Sequence, residues 1–275
     1  MTMGELIFIG LGLWDENDIT VKGLKEAKKC DCLFAEFYTS ILGVEKEKLE
    51  KALGKEIRIL NRGEVEKGEI ILNEARKKKV GFLTPGDPMS ATTHVALCLR
   101  AIEMDIKTRV IHGISILTAA AGLLGLQTYK FGRTTTIVTP KENFFPHSPY
   151  EVIKENKERG LHTLVLLDIE DGKCMTANEG IEVLLKIENE REEKFLSKSI
   201  VAAVARASSP NPLVMANYPS ILVKKDFGEP PHCIVVPGKL HFMEAKALIM
   251  LAGAPKEIEK EDYGITGSGS VHSGL

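Results

Sequence analysis

Two glycine-rich turns close apolar strands about 75 residues apart, and they limit what this chain can fold into. The first, Gly10-Leu11-Gly12-Leu13, follows Leu6-Ile7-Phe8-Ile9; the second, Thr84-Pro85-Gly86-Asp87-Pro88, follows Val80-Gly81-Phe82-Leu83. A continuous apolar run of this length suits a strand covered on both faces. Glycine at its end lets backbone N–H groups approach a ligand that side chains would keep away. Two such ends in one half of the chain predict one composite pocket for a nucleoside-like molecule.

Strand and helix alternate over the first 112 residues, with strands predicted at 6–9, 32–35, 56–60, 80–83 and 107–111. That order means a parallel or mainly parallel sheet with right-handed crossovers. Thr20 is placed to cap a helix carrying Val21, Leu24 and Ala27 on one side. Residues 45–53 read as a charged amphipathic helix and 66–78 as a mostly solvated one. Thr92 and Thr93 lead into a helix with Val95, Leu99 and Ile102 on one face.

Residues 113–132 are rich in Ala, Gly and Leu and almost uncharged, with Ser115 as N-cap. Small residues of this kind permit close packing against another domain or a second copy, with 113–126 the expected contact segment. A second sheet follows, with strands at 134–138, 161–167, 200–205 and 233–236, and helices at 149–159, after Thr176, and at 242–252. The closer spacing of strands after Ile200 predicts a mixed sheet. The domains expected are therefore 1–112 and 113–263, both α/β. The Gly/Ser tail at 264–275 lacks periodicity and is expected to be disordered.

The net charge of −2, without a basic block, argues against direct nucleic-acid binding. No apolar stretch reaches the ~20 residues of a membrane span, and no signal-peptide pattern opens the sequence, so a soluble cytoplasmic protein is expected. Cys30, Cys32, Cys98, Cys174 and Cys233 are odd in number and scattered, which disfavours a disulfide framework. The histidines have no metal-ligand spacing, so no metal is expected. A dinucleotide fingerprint would need glycine where Asp15 stands, and no phosphate-loop Gly-Lys-Ser/Thr or Gly-x-Ser-x-Gly elbow occurs. Asp168 and Glu170 at a strand end are open to a general-acid role or to simple loop capping. Chemistry that relies on positioning more than on acid–base catalysis suits such a chain, and methyl transfer from a sulfonium is one case.

Ile9 to Leu13, Asp18 to Leu24, Ala35 to Ser40, Pro85 to Pro88 with Ala91-Thr92-Thr93-His94, and Val110-Ile111-His112 with Ser115-Ile116 together resemble the diphthine synthase family. So do Tyr129 to Gly132, Leu161-His162-Thr163 with Leu167-Asp168-Ile169, Ala205-Arg206-Ala207, and Pro237 to His241. The resemblance reaches to about residue 258, and the compact segment after Asp168 is more like the archaeal members. It implies the two-domain tetrapyrrole-methylase-like (class III) methyltransferase fold, usually homodimeric, with S-adenosylmethionine in the interdomain cleft. It implies methylation of the amino group of a 3-amino-3-carboxypropyl histidine on translation elongation factor 2, three times in archaeal members and four in eukaryotic ones.

Carried over by motif, the implied cofactor contacts are Leu13, Asp87, Ser90, Ser115, Ile116, Leu167 (or Leu166 by register), Ala207 and His232. No catalytic base is implied; Asp168 and His112 are placed to accept a proton. Trp14, Phe37 and Tyr38 are candidates to hold a growing cation. Two alternatives remain open: a tetrapyrrole (precorrin-type) methyltransferase of the same fold, and a non-catalytic nucleoside-binding protein.

Overall fold

The computed structural model describes residues 4–170 and 172–259. The tail expected at 264–275 lies outside the described residues. The chain builds two five-stranded sheets in sequence. The first contains β1 (Glu5–Gly10), β2 (Cys32–Ala35), β3 (Ile57–Ile59), β4 (Lys79–Thr84) and β5 (Lys107–Ile111). All its pairings are parallel, in the order β3-β2-β4-β1-β5. Its helices are α1 (Val21–Lys29), α2 (Lys46–Leu53), α3 (Arg62–Lys67), α4 (Glu69–Ala75) and α5 (His94–Glu103).

Burial explains the apolar runs. Leu6 and Phe8 enter one core layer with Val80 and Phe82, while Ile7 and Ile9 enter the opposite layer with Leu33 and Leu83. A strand alternates its side chains between faces, so β1 needs apolar residues at every position. Each such side chain, fully buried, contributes about 1.5–3 kcal/mol.

Two helical expectations are corrected. The segment 66–78 is divided between two helices at Gly68, whose φ of +66° ends α3 and precedes α4. It is also less solvated than expected, because Ile71, Leu72 and Ala75 are buried. In α5 the face on the sheet is His94, Leu97 and Ala101. The more apolar stripe of Val95, Leu99 and Ile102 faces outward, each residue about half exposed (56%, 54% and 52%).

The second half contains α6 (Ile116–Leu124), β6 (Thr135–Ile137), α7 (Ser148–Glu158), β7 (Thr163–Leu167), β8 (Ile169–Glu170), β9 (Lys173–Cys174) and α8 (Ala177–Glu190). It ends with β10 (Val201–Ala205), β11 (Leu213–Asn217), α9 (Pro219–Leu222), β12 (His232–Val236) and α10 (Phe242–Ala252). The sheet order is β11-β10-β12-β7-β6, and β6–β7 is its parallel pair; β8 and β9 form a separate hairpin. The mixed sheet was expected; β11, α9 and the short hairpin were not. Again both faces are covered: Val201, Ala203 and Ala205 enter one core, Ala202 and Val204 the other.

Ser115 caps α6 by accepting the Leu117 N–H. The helix lies against its own chain, with Ala120 and Leu124 in the core shared with Leu248 of α10. A Cβ on Gly125 would come within 2.5 Å of the Ala247 Cβ. Ala120, Ala121 and Gly125 thus serve an internal contact, while Gly122 of the same helix is exposed.

Candidate functional site

The two sheets meet across a cleft at the carboxyl ends of β1, β4, β5 and β7, with about 930 Å³ of empty space including its open mouth. A cleft at the carboxyl ends of parallel strands is the usual ligand position in α/β sheets. On one side the glycine turns touch each other. Gly12 and Gly86 exchange backbone hydrogen bonds, Gly86 N–H to Gly12 O at 2.6 Å and Gly12 N–H to Gly86 O at 3.3 Å. A Cβ on Gly10 would lie 2.5 Å from Gly86 O and 2.6 Å from Gly113 N. Only glycine permits three strand ends to pack backbone against backbone at this distance.

Asp87 joins these turns. Its Oδ1 accepts the Met89 N–H (3.0 Å) and the Ser90 hydroxyl (3.3 Å); its Oδ2 accepts from His112 Nδ1 (2.7 Å) and the Gly113 N–H (3.3 Å). Burial pushes this carboxyl up, but the Met89 N–H, the His112 ring and the Gly113 N–H together hold it below the usual carboxylate range. His112 is itself 76% exposed and braces Asp87 from outside the cleft.

On the other side the wall is made by Leu166, Leu167 and Asp168 after β7, by Ala207 after β10, and by His232 opening β12. His232 Nδ1 accepts the Ala177 N–H at 3.2 Å, and Nε2 donates to Glu229 O at 3.1 Å. Burial pushes its pKa down, so it presents a neutral ring with both nitrogens used. Ala207 sits between Arg206 (φ +52°) and Ser208 (φ +68°), both in the left-handed region that side chains disfavour. Such positions cost about 1–3 kcal/mol each and gather at functional sites. The turn is clamped: the Arg206 guanidinium donates to Phe227 O and Glu229 O, and the Ser208 hydroxyl donates to Asp18 Oδ1 at 2.6 Å. Asp18 Oδ2 in turn accepts the Leu13 and Trp14 N–H groups, so one carboxylate ties the first glycine turn to the far wall.

Leu13, Asp87, Ser90, Ser115, Ile116, Leu167, Ala207 and His232, singled out from the sequence, all line this one cleft. Leu166 does too, so both registers considered for β7 reach it. Phe37 and Tyr38 line an adjoining groove instead, and Trp14 packs over Gly43 without lining either. Sequence reasoning missed the strained pair around Ala207 and the Asp18 link. The available signal for the link was an aspartate five residues beyond Leu13.

The sequence profile of the tetrapyrrole (corrin/porphyrin) methylases matches residues 5–217. The diphthine synthase of Methanocaldococcus jannaschii is 52% identical over 250 residues, covering 88% of this chain and 97% of the relative. The chain belongs to the diphthine synthase family. The family's member from Methanosphaera stadtmanae is 49% identical, covering 93% and 99% of the two chains. A crystal structure of a diphthine synthase superposes with a TM-score of 0.86 at 39% identity, covering 93% of this chain and 98% of that one. The two-sheet architecture described above is therefore the diphthine synthase fold.

Proposed function

We propose that this chain methylates the amino group of a 3-amino-3-carboxypropyl histidine of translation elongation factor 2, three times, with S-adenosylmethionine as donor, giving diphthine. The observation that carries this is the convergence of the expected contact residues on one cleft, in a chain of this family. The lining fits the donor. Gly86 has no atom nearer than 3.9 Å to its Cβ position, so backbone there is open to the polar amino-acid part. Leu13, Ile116, Leu167 and Ala207 offer an apolar slot for adenine, with few polar groups to set its orientation. Bound there, the donor would supply a methyl group already activated on sulfur. The protein's share is to hold the acceptor amine in line, keep water out of the line of transfer and let the amine reach its neutral form. An α-amino group has a reference pKa of about 8, and desolvation lowers it.

The functional units are taken as 1–112 and 113–263, meeting at this cleft. The protein is read as cytoplasmic and homodimeric. Among the described residues no helix is long and apolar enough to cross a membrane. The outward apolar stripe of α5 supports pairing with a second copy. Sedimentation of Leu99→Glu checks this: a monomer is expected, and an unchanged dimer would remove α5 from the interface.

Calorimetric titration with S-adenosylmethionine and with its demethylated product tests the main proposal. Binding of both is expected. Failure to bind either would overturn the enzyme reading in favour of another occupant of the cleft.

A further inference from the structure

Beside the cleft runs a groove between the ends of β2 and β3 on one side and the β7–β9 segment on the other. Asp168 and Ile169 line both spaces, so they mark the point where the groove enters the cleft. Asp168 is fixed there: its N–H donates to Ile137 O (3.1 Å), its carbonyl accepts the Met175 N–H (2.9 Å), and its Oδ2 accepts the Thr139 N–H (2.9 Å). No hydrogen bond among the described residues reaches Oδ1. A half-buried carboxylate with one oxygen anchored and one available is a rigid acceptor for an N–H donor.

The facing wall carries a cation. Arg62, the first residue of α3, lies over the Tyr38 ring at 5.2 Å and makes no ion pair among the described residues. Lys141 of the same groove is engaged by Glu170. A groove with a spare carboxylate oxygen at its inner end and, among its lining residues, an exposed guanidinium stacked on Tyr38 without an ion pair among the described residues complements a group that carries an amine and a carboxylate on one carbon. That is the chemistry of the acceptor's amino acid moiety.

We propose that this groove is the acceptor channel, that Asp168 Oδ1 orients the acceptor amine, and that Arg62 binds the acceptor carboxylate; this rests on the function proposed above. The acceptor ammonium first gives a proton to water in the open groove; a remaining N–H directed to Asp168 then leaves the freed lone pair turned toward the cleft. As the N–C bond forms and the C–S bond breaks, with its electron pair left on sulfur, positive charge passes to nitrogen beside the Asp168 carboxylate. A fixed opposite charge where charge develops favours the transition state over the ground state. After each of the first two transfers the alkylammonium gives a proton to water in the open groove; the third leaves a permanent cation that Asp168 faces. Arg62 meets a charge that does not change during transfer, so it contributes to binding alone.

The test compares Asp168→Asn and Arg62→Gln with wild type, on elongation factor 2 bearing the carboxypropyl histidine. Asparagine retains an oxygen for the Thr139 N–H, and melting temperature and circular dichroism check that each variant is folded. Asp168→Asn is expected to lower kcat about 100-fold. It is also expected to weaken binding of the trimethylated factor, titrated without donor, about tenfold. Arg62→Gln is expected to weaken acceptor binding about tenfold with kcat unchanged, and to lose the preference for a free over an amidated carboxylate. Arg62 is exposed, so that variant stands even where Asp168→Asn does not fold. Variants that bind and turn over the acceptor within about threefold of wild type overturn the proposal. A normal Arg62→Gln beside a slow Asp168→Asn overturns the carboxylate contact alone. Should wild type itself add no methyl group, the parent function fails instead.

Discussion

Around the cleft, the parallel sheet arrives with backbone and the mixed sheet arrives with side chains. β1, β4 and β5 end in turns whose glycines pack within a carbon–carbon contact of one another, joined by backbone hydrogen bonds between Gly12 and Gly86 and by the Asp87 side chain. β7, β10 and β12 instead present Leu167, Ala207 and His232, held by networks behind the wall. A further network, at the end of β7 away from the cleft, joins the β7 entry to α10. His162 Nδ1 accepts the Gly238 N–H (2.9 Å), and its Nε2 donates to Glu244 (3.0 Å). Glu244 also pairs with Lys130 and accepts the Gln127 and His241 N–H groups. Burial pushes the Glu244 carboxyl up, yet Lys130 and these hydrogen bonds hold it at about 2. The contrast teaches that close backbone approach and side-chain architecture are separate ways to shape one pocket. They should fail differently.

The largest loss is expected from Glu244→Ala. Removing one partner of a buried ion pair leaves Lys130 and His162 unmatched and costs about 3–5 kcal/mol. Chemical denaturation would show this, while the fraction still folded should bind S-adenosylmethionine normally, because the glycine side is untouched. Gly10→Ala is expected to do the reverse. Its Cβ must displace backbone at Gly86 or Gly113, costing about 1–3 kcal/mol. Cofactor affinity should fall at least about tenfold if 1.4 kcal/mol of that appears in binding. Equal affinity in Gly10→Ala and wild type would remove the glycine turns from the site. Ser208→Ala severs the link from the strained turn to Asp18 and should cost about 1 kcal/mol of stability. Ser208→Gly separates link from strain: it loses the same hydroxyl but relieves φ +68°, so it should be more stable than Ser208→Ala.

The smallest effect is a pH slope. Burial lowers the pKa values of His94, His162 and His232, so the unfolded chain takes up protons first as pH falls below about 6.5. Their contribution is complete above that pH and declines below it. Buried Glu36, whose pKa burial raises, acts in the opposite sense: the folded state protonates first, so its share of stability is gained on acidification. Glu244 contributes above its unfolded pKa of about 4.3, a contribution lost as pH falls from there toward 2. Denaturation midpoints should therefore decline from pH 7 to pH 5.5 and more steeply below 4.5. A midpoint that rises between pH 7 and 5.5 would mean that Glu36 outweighs the three histidines.

Much of the glycine side was legible in the sequence because its signals are local. A glycine after a buried run, or a hydroxyl before an apolar period, acts within a few residues. Thr20, Ser115 and Thr176 do accept the Gly23, Leu117 and Glu179 N–H groups. The mixed sheet was less legible. β11 is an edge strand whose residues are mostly half-buried, so it lacks the continuous apolar run that marked β1. The left-handed residues Arg206 and Ser208 are not glycine, and only the tertiary clamps on them hold that backbone. Helix α5 was misjudged for a related reason. Hydropathy selected the stripe of Val95, Leu99 and Ile102, whereas the buried face of the helix is His94, Leu97 and Ala101, with His94 Nδ1 donating to Pro88 O and the ring stacking edge-on to Phe82. Local chemistry thus predicts turns and caps, while outward faces and strained turns depend on what the rest of the molecule supplies.

The most direct test of the central claim is intact-mass analysis of elongation factor 2 bearing the 3-amino-3-carboxypropyl histidine, after incubation with this protein and S-adenosylmethionine. A gain of three methyl groups is the predicted result. A protein that binds S-adenosylmethionine in the cleft yet leaves the factor's mass unchanged would contradict the account and direct the search to a small-molecule acceptor.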